Sequence, residues 1–335
     1  MELSAKELAG ATDGDIVAGT GDASATSFTI DSRELVPGAC FVALRGARDG
    51  HDFVADAFAR GASLAIVEHP LDAPVPGATL IVVGNTLTAL AASARLARDR
   101  LAQATVVGIT GSAGKTATKD LTAAALGRTR RVHASPGSYN NEAGVPLTLL
   151  GAPSDTEVVV TEMGARFAGN IADLAEIAQP EIGVITHVGL AHAGHLGGRA
   201  GIARVKGELV EALPAAGLAV LNDDCDSMPE LARRTVARVV RVGHETRADI
   251  RWSNVTLDDE LRPRFLLETA AGSTNVALAV RGEHQVENAA QAVAVALELG
   301  VPLDAAVAGL ADARAATHRM ELTRTANGLL VINDA

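Results

Sequence analysis

Short apolar runs alternate with stretches of helical spacing along most of the chain. The runs Thr105–Ile109, Arg131–His133, Glu157–Glu162, Ile182–Thr186 and Leu218–Leu221 are short and mostly β-branched, so they predict buried strands. Between them, apolar positions recur at helical spacing near 117–126, 144–150, 169–178 and 199–213. Strands and helices alternating in this way predict a mostly parallel sheet covered on both faces. From about 249 to 281 the pattern changes to strand-like runs, Asp249–Leu257, Arg264–Thr269 and Thr274–Val280, which read as antiparallel pieces at a sheet edge. Helices near 284–299 and 303–314 follow.

The first 82 residues predict a smaller α/β unit. Asp31-Ser32-Arg33 and the Pro37-Gly38 turn precede a strand, Cys40–Leu44, and a helix Asp52–Arg60 ends at Gly61 as a C-cap. Ala62–Glu68 and Ala78–Val83 read as further strands, and an amphipathic helix, Thr86–Ala102, leads out. At the far end, Arg319–Ala335 reads as two strands joined at Asn327-Gly328, a hairpin turn signal. The expected fold class is α/β: a small α/β N-terminal domain over 1–100 and a larger phosphate-loop domain over 101–314. Residues 315–335 read as the start of a further domain.

One junction in this pattern carries chemistry. The strand Thr105–Ile109 runs into a turn containing Gly111, Ser112, Ala113 and Gly114, then Lys115, Thr116, Ala117 and a helix. Glycines let backbone N–H groups turn inward, and the helix N-terminus adds partial positive charge, so the arrangement cradles phosphate. In such loops the lysine reaches the β- and γ-phosphates and the threonine hydroxyl ligates Mg²⁺. Five residues, not the usual four, separate Gly108 from Gly114, so the pattern is Thr-Gly-x-x-Gly-Lys-Thr. The bland alternative is a glycine-rich turn with an incidental lysine, but both flanking elements that a phosphate loop needs are present.

Composition narrows the partners. A formal net charge of −11 leaves no basic surplus for a nucleic-acid backbone, so an ATP site must be a local positive pocket. No apolar run approaches 18 residues and the N-terminus lacks a basic-then-apolar signal, so we expect a cytoplasmic monomer with no membrane insertion. Cys40 and Cys225 match no metal spacing and read as reduced core thiols. Of the 29 cationic residues only Lys6, Lys115, Lys119 and Lys206 are lysines. Where arginine is the default surface cation, a lysine can mark chemistry a guanidinium cannot do.

Further candidates sit at strand ends, where ligands of such sheets gather. Glu162, closing its strand beside the phosphate loop, is placed to hold Mg²⁺, or is simply a solvated glutamate. His192 and His195 follow the next strand and suit a second metal or a transferring phosphate, or are structural. Lys206, on the helix after them, reads as a phosphate contact, a surface charge, or an amine that takes up CO₂.

Taken together, these segments resemble the ATP-dependent Mur ligases of bacterial peptidoglycan synthesis. The likeness rests on Asp31-Ser32-Arg33, Pro37 to Gly46, Asp49-Gly50-His51, the phosphate loop, Tyr139 to Thr148, Glu162-Met163-Gly164, Ala191-His192, Lys206-Gly207-Glu208, Gly282-Glu283-His284, Asn288, Arg319-Met320-Glu321 and Asn333-Asp334-Ala335. The resemblance implies a ligase that uses ATP and Mg²⁺ to join D-Ala-D-Ala to UDP-MurNAc-tripeptide. The peptide carboxylate becomes an acyl phosphate, which the dipeptide amine attacks. It implies that Gly111 to Ala117, with Asn140 or Asn141, binds the ATP phosphates. Thr116 and Glu162 would hold one Mg²⁺ and His192 a second. Lys206 would be carbamylated, Asn288 and Arg319 would lie by the adenosine, and Ser32, Gly46 and Asp49 would face the uridine end. Lys115, Lys206 and His192 are then the catalytic set. The chain departs from the family pattern at Ala117, His187, Gln285 and His318. The family's C-terminal domain completes the active site, so its absence implies a fragment with little activity. The alternatives are a ligase adding the third peptide residue and a non-ligase phosphate-loop protein; no Asn-Lys-x-Asp for guanine is present.

Overall fold

The structure, a computed structural model, describes residues 1–71, 73, 75–189, 198–314, 320–325 and 329–333. It divides into two compact units, Met1–Ala102 with Glu142–Asp155, and Gln103–Asn141 with Thr156–Ala335.

The first unit is built on a five-stranded sheet in the order Asp15–Ala18, Thr79–Val82, Leu64–Val67, Ala39–Val42, Ser27–Thr29, parallel except for its first pair. Ser4 and Glu7 form a capping box that starts the helix Ala5–Thr12, and Asn85 caps Thr86–Arg100 by accepting from the Thr88 amide at 2.9 Å. The helix Gly144–Gly151 packs against Thr86–Arg100 and the strand Ser27–Thr29. The alternating pattern counted this helix with the second unit. Its apolar residues Val145, Leu149 and Leu150 are buried, and its packing partners belong to the first.

The second unit holds a nine-stranded sheet ordered Gly272–Ala277, Pro263–Thr269, Ile250–Leu257, Arg238–Gly243, Leu218–Asn222, Ile182–Ile185, Thr105–Thr110, Val158–Glu162, Val132–Ala134. Every pair from Ile250–Leu257 to Val132–Ala134 is parallel, and the last two strands at the other edge are antiparallel, as the change of pattern after 249 predicted. The strand Arg238–Gly243 was not anticipated. The strand order reverses at Thr105–Thr110, which puts the phosphate loop at the switch point of the sheet.

Val107, Ile109, Val160, Val184 and Val220 form one contiguous core with the alanine-rich helix Gln285–Glu298. That helix lies on Lys115–Gly127, and Leu303–Ala311 packs beside it. Gly309 permits the close approach: a Cβ there would stand 2.1 Å from the Ala124 carbonyl oxygen. Glu321–Arg324 and Leu330–Asn333 pair antiparallel as expected, while the turn at Asn327-Gly328 lies outside the described residues. Cys40 and Cys225 are buried and unpaired. None of the described helices is long and apolar enough to cross a membrane.

Candidate nucleotide site

The phosphate loop is held from beneath by the strand end Thr186. The Thr186 hydroxyl donates to Ala113 O (2.5 Å), and the Ser112 amide donates to His187 O (2.8 Å). Gly111 has to be a glycine, because a Cβ would lie 1.9 Å from Thr186 Oγ1. Gly114 opens the helix Lys115–Gly127 at φ +80°, in the left-handed region, and a Cβ there would meet Asn288 Oδ1 at 2.6 Å. Lys115 folds back so that Nζ donates to Gly111 O (3.0 Å), arching over the loop.

Thr116, on the first turn, donates to Glu162 Oε2 (2.7 Å), and Asn140 Nδ2 donates to Glu162 Oε1 (2.7 Å). The Glu162 carboxylate is buried, so the solvated-glutamate alternative is set aside. The hydroxyl and carboxylate oxygens of Thr116 and Glu162 are hard donors of the kind Mg²⁺ prefers, and the pair fits that ion. Asn140 is therefore brought to the Glu162 carboxylate, whereas Asn141, beside it, is exposed.

Lys206 is buried on the helix Gly198–Glu211. Burial foremost, then the positive charge of Lys115, lowers its pKa to about 8, although Glu208 and Glu162 pull the other way. Among the described residues it has no hydrogen-bond or ion-pair partner. Glu208, two residues on, accepts from the amides of Gly169 (2.8 Å), Ile171 (3.1 Å) and Ala172 (3.2 Å). It thereby caps the helix Asn170–Ala178.

Asn288 is set against the loop. Its Oδ1 accepts from Thr118 (3.1 Å) and its Nδ2 donates to Gln285 Oε1 (3.0 Å), so the departure Gln285 supports Asn288. His192, His195, His318 and Arg319 lie outside the described residues.

Sequence reasoning missed the layer below. Asn222 Nδ2 (3.1 Å) and Gln291 Nε2 (3.2 Å) both donate to Thr186 O, and Asn222 also donates to Glu287. Burial raises the Glu287 pKa to about 7, helped by the negative charge of Asp224. The available signal was a polar residue closing an otherwise apolar strand, which describes both Thr186 and Asn222.

Within the first unit, Asp31, Ser32, Arg33, Phe41, Arg48 and Phe53 are among the residues lining a cavity of about 440 Å³. Ser32 belongs to it; Gly46 and Asp49 are not among its lining residues. Asp49 instead accepts from the His51 amide (3.0 Å) and faces His51 Nδ1 (2.6 Å). The Glu68 amide donates to His51 Nε2 (2.8 Å), which leaves the ring proton on Nδ1, toward Asp49.

A family model described as the Mur ligase middle domain matches residues 109–296, and one described as the Mur ligase family catalytic domain matches 25–123. The chain is 44% identical to the UDP-N-acetylmuramoyl-tripeptide–D-alanyl-D-alanine ligase of Mycobacterium tuberculosis, over 91% of this chain and 64% of that protein. It thus spans just under two thirds of that relative's length. Among solved structures it is similar to MurF from Acinetobacter baumannii, with a TM-score of 0.89 and 34% identity over all of this chain and 73% of that one. It is also similar to MurF ligase from Thermotoga maritima in complex with ADP, at a TM-score of 0.76 and 32% identity, covering 92% of this chain and 70% of that one.

Proposed function

The chain belongs to the Mur ligase family, and from that premise we propose that it carries the ATP- and UDP-sugar-binding units of a ligase joining D-Ala-D-Ala to UDP-MurNAc-tripeptide. The observation that carries this reading is the buried Glu162 carboxylate gripped by Thr116 of the phosphate loop and by Asn140. Lys115 and the glycine-rich turn neutralise the ATP phosphates, and the dipole of the helix Lys115–Gly127 adds to them. Mg²⁺ on Thr116 and Glu162 would draw charge from the transferring phosphoryl group. By the family resemblance, His192 would hold a second ion, adding to that charge neutralisation.

The tripeptide carboxylate takes the γ-phosphoryl group as ADP leaves, and the amine of the dipeptide then attacks the acyl carbon and expels inorganic phosphate to form the amide. What the protein supplies is alignment and charge neutralisation at one place. The lowered pKa of Lys206 supports its carbamylation, because only the neutral amine adds CO₂. By the family resemblance, Asn288 and Arg319 would serve the adenosine. The cavity at Ser32 takes the uridine end, with Arg48 in its wall to meet the phosphates.

The test is calorimetric titration of the chain with a non-hydrolysable ATP analogue and Mg²⁺, then with UDP-MurNAc-tripeptide. Both ligands should bind, and Lys115→Ala should weaken the nucleotide at least about tenfold, the loss expected for a charge-assisted contact. Unchanged nucleotide affinity in that variant, or binding of neither ligand, would overturn the reading.

A further inference from the structure

Of the four lysines, Lys119 has no place in the chemistry above. It lies one turn beyond Lys115 on the helix Lys115–Gly127, and at 2% exposure it is among the most completely buried large side chains. A buried ammonium is costly unless each proton finds an acceptor. Here Nζ donates to Ser135 O (2.6 Å) and Gly137 O (2.7 Å), with Asp120 Oδ1 at 3.2 Å. Three donors meet three acceptors, so no proton is left for a ligand.

Those two carbonyls open the loop 135–141. Further along, Asn140 Nδ2 reaches Glu162 Oε1, and Asn140 O accepts from the Gly164 amide (2.7 Å). The Ser135 hydroxyl accepts from the Glu162 amide (3.3 Å). Thus the helix that presents Thr116 to one oxygen of Glu162 also ties down the loop that presents Asn140 to the other.

We propose that Lys119 is a positioning residue for the metal–nucleotide site, fixing the loop 135–141 so that Asn140 and Thr116 hold the Glu162 carboxylate between them. The inference rests on the reading of Thr116 and Glu162 as Mg²⁺ ligands. It also explains a lysine in an arginine-rich chain. A compact ammonium can aim at three separate points, whereas a planar guanidinium presents a rigid fork.

The test compares the chain with Lys119→Met, which keeps the apolar stem, and Lys119→Arg, which keeps the charge. In hydrogen exchange, the amides of Tyr139 and Gly164 should lose protection at least tenfold in the Met variant, while those of Val106 to Ile109 keep theirs. In calorimetry, the Mg²⁺ concentration needed for tight binding of the ATP analogue should rise about tenfold, with metal-free nucleotide affinity unchanged. Unaltered exchange at Tyr139 and Gly164 would overturn the proposal. So would equal losses in metal-free and metal-dependent binding, which mark general damage. If Lys119→Met does not fold, Lys119→Arg is read by the same criteria. If the unmodified chain binds no nucleotide, the ligase reading fails, and exchange alone still decides whether Lys119 positions the loop.

Discussion

Glu287→Gln isolates the cost of a buried carboxylate beneath the phosphate loop. Glu287 lies in the first turn of Gln285–Glu298, where the helix dipole favours a negative charge by up to about 2 kcal/mol. Burial and Asp224 oppose this and win, raising the pKa from 4.5 to about 7. At 1.36 kcal/mol per tenfold, that displacement corresponds to about 2–3 kcal/mol once partial exposure is allowed for. The sign follows from linkage: the folded state prefers the neutral acid. The contribution is complete below pH 4.5 and is lost as pH rises through about 7. Glutamine keeps an oxygen to accept from Asn222 and carries no charge. The variant should therefore match the parent near pH 4.5 and exceed it by about 2–3 kcal/mol above pH 8. The single tryptophan, Trp252, lies in the second unit, so its fluorescence during urea unfolding reports that unit. Titrating groups that do not interact with Glu287 cancel in the difference. A difference that does not change with pH would refute the argument.

Two further substitutions test the packing around the site. Gly309→Ala forces a methyl against the Ala124 carbonyl and should cost about 1–3 kcal/mol, read as a lower melting temperature by Trp252 fluorescence; no change would mean the helices can part freely. Glu208→Ala strips the acceptor from the amides of Gly169, Ile171 and Ala172 at the start of Asn170–Ala178 and should cost about 1–2 kcal/mol, with faster hydrogen exchange confined first to Ile171 and Ala172.

The parts of the site that were legible in the sequence are those built by neighbouring residues. The strand, glycine turn and helix from Thr105 to Gly127 form one local signal, and the Glu157–Glu162 run announces its own strand end. What escaped is held over long separations. Gln291 reaches the Thr186 carbonyl from 105 positions away, and Asn222 does so from 36. Nothing local distinguishes those amides from surface polar residues. The strand Arg238–Gly243 hid because arginines at 238 and 241, both exposed, interrupt its apolar run. The scarcity of lysine carried real information, but of two kinds. At Lys115 and Lys206 it marks the chemistry proposed here, and at Lys119 it marks a three-point internal tether.

The return of Glu142–Asp155 to the first unit has a consequence for biosynthesis. A nascent chain that has emerged as far as Ala102 still lacks the helix that covers part of Thr86–Arg100. That surface waits while the ribosome makes the phosphate-loop strand and its helix, and it is sheltered only after residue 155 has cleared the exit tunnel. Maturation of the first unit is therefore interleaved with that of the second, and a gene cut at residue 102 would express a polypeptide with an apolar strip left bare, prone to aggregate.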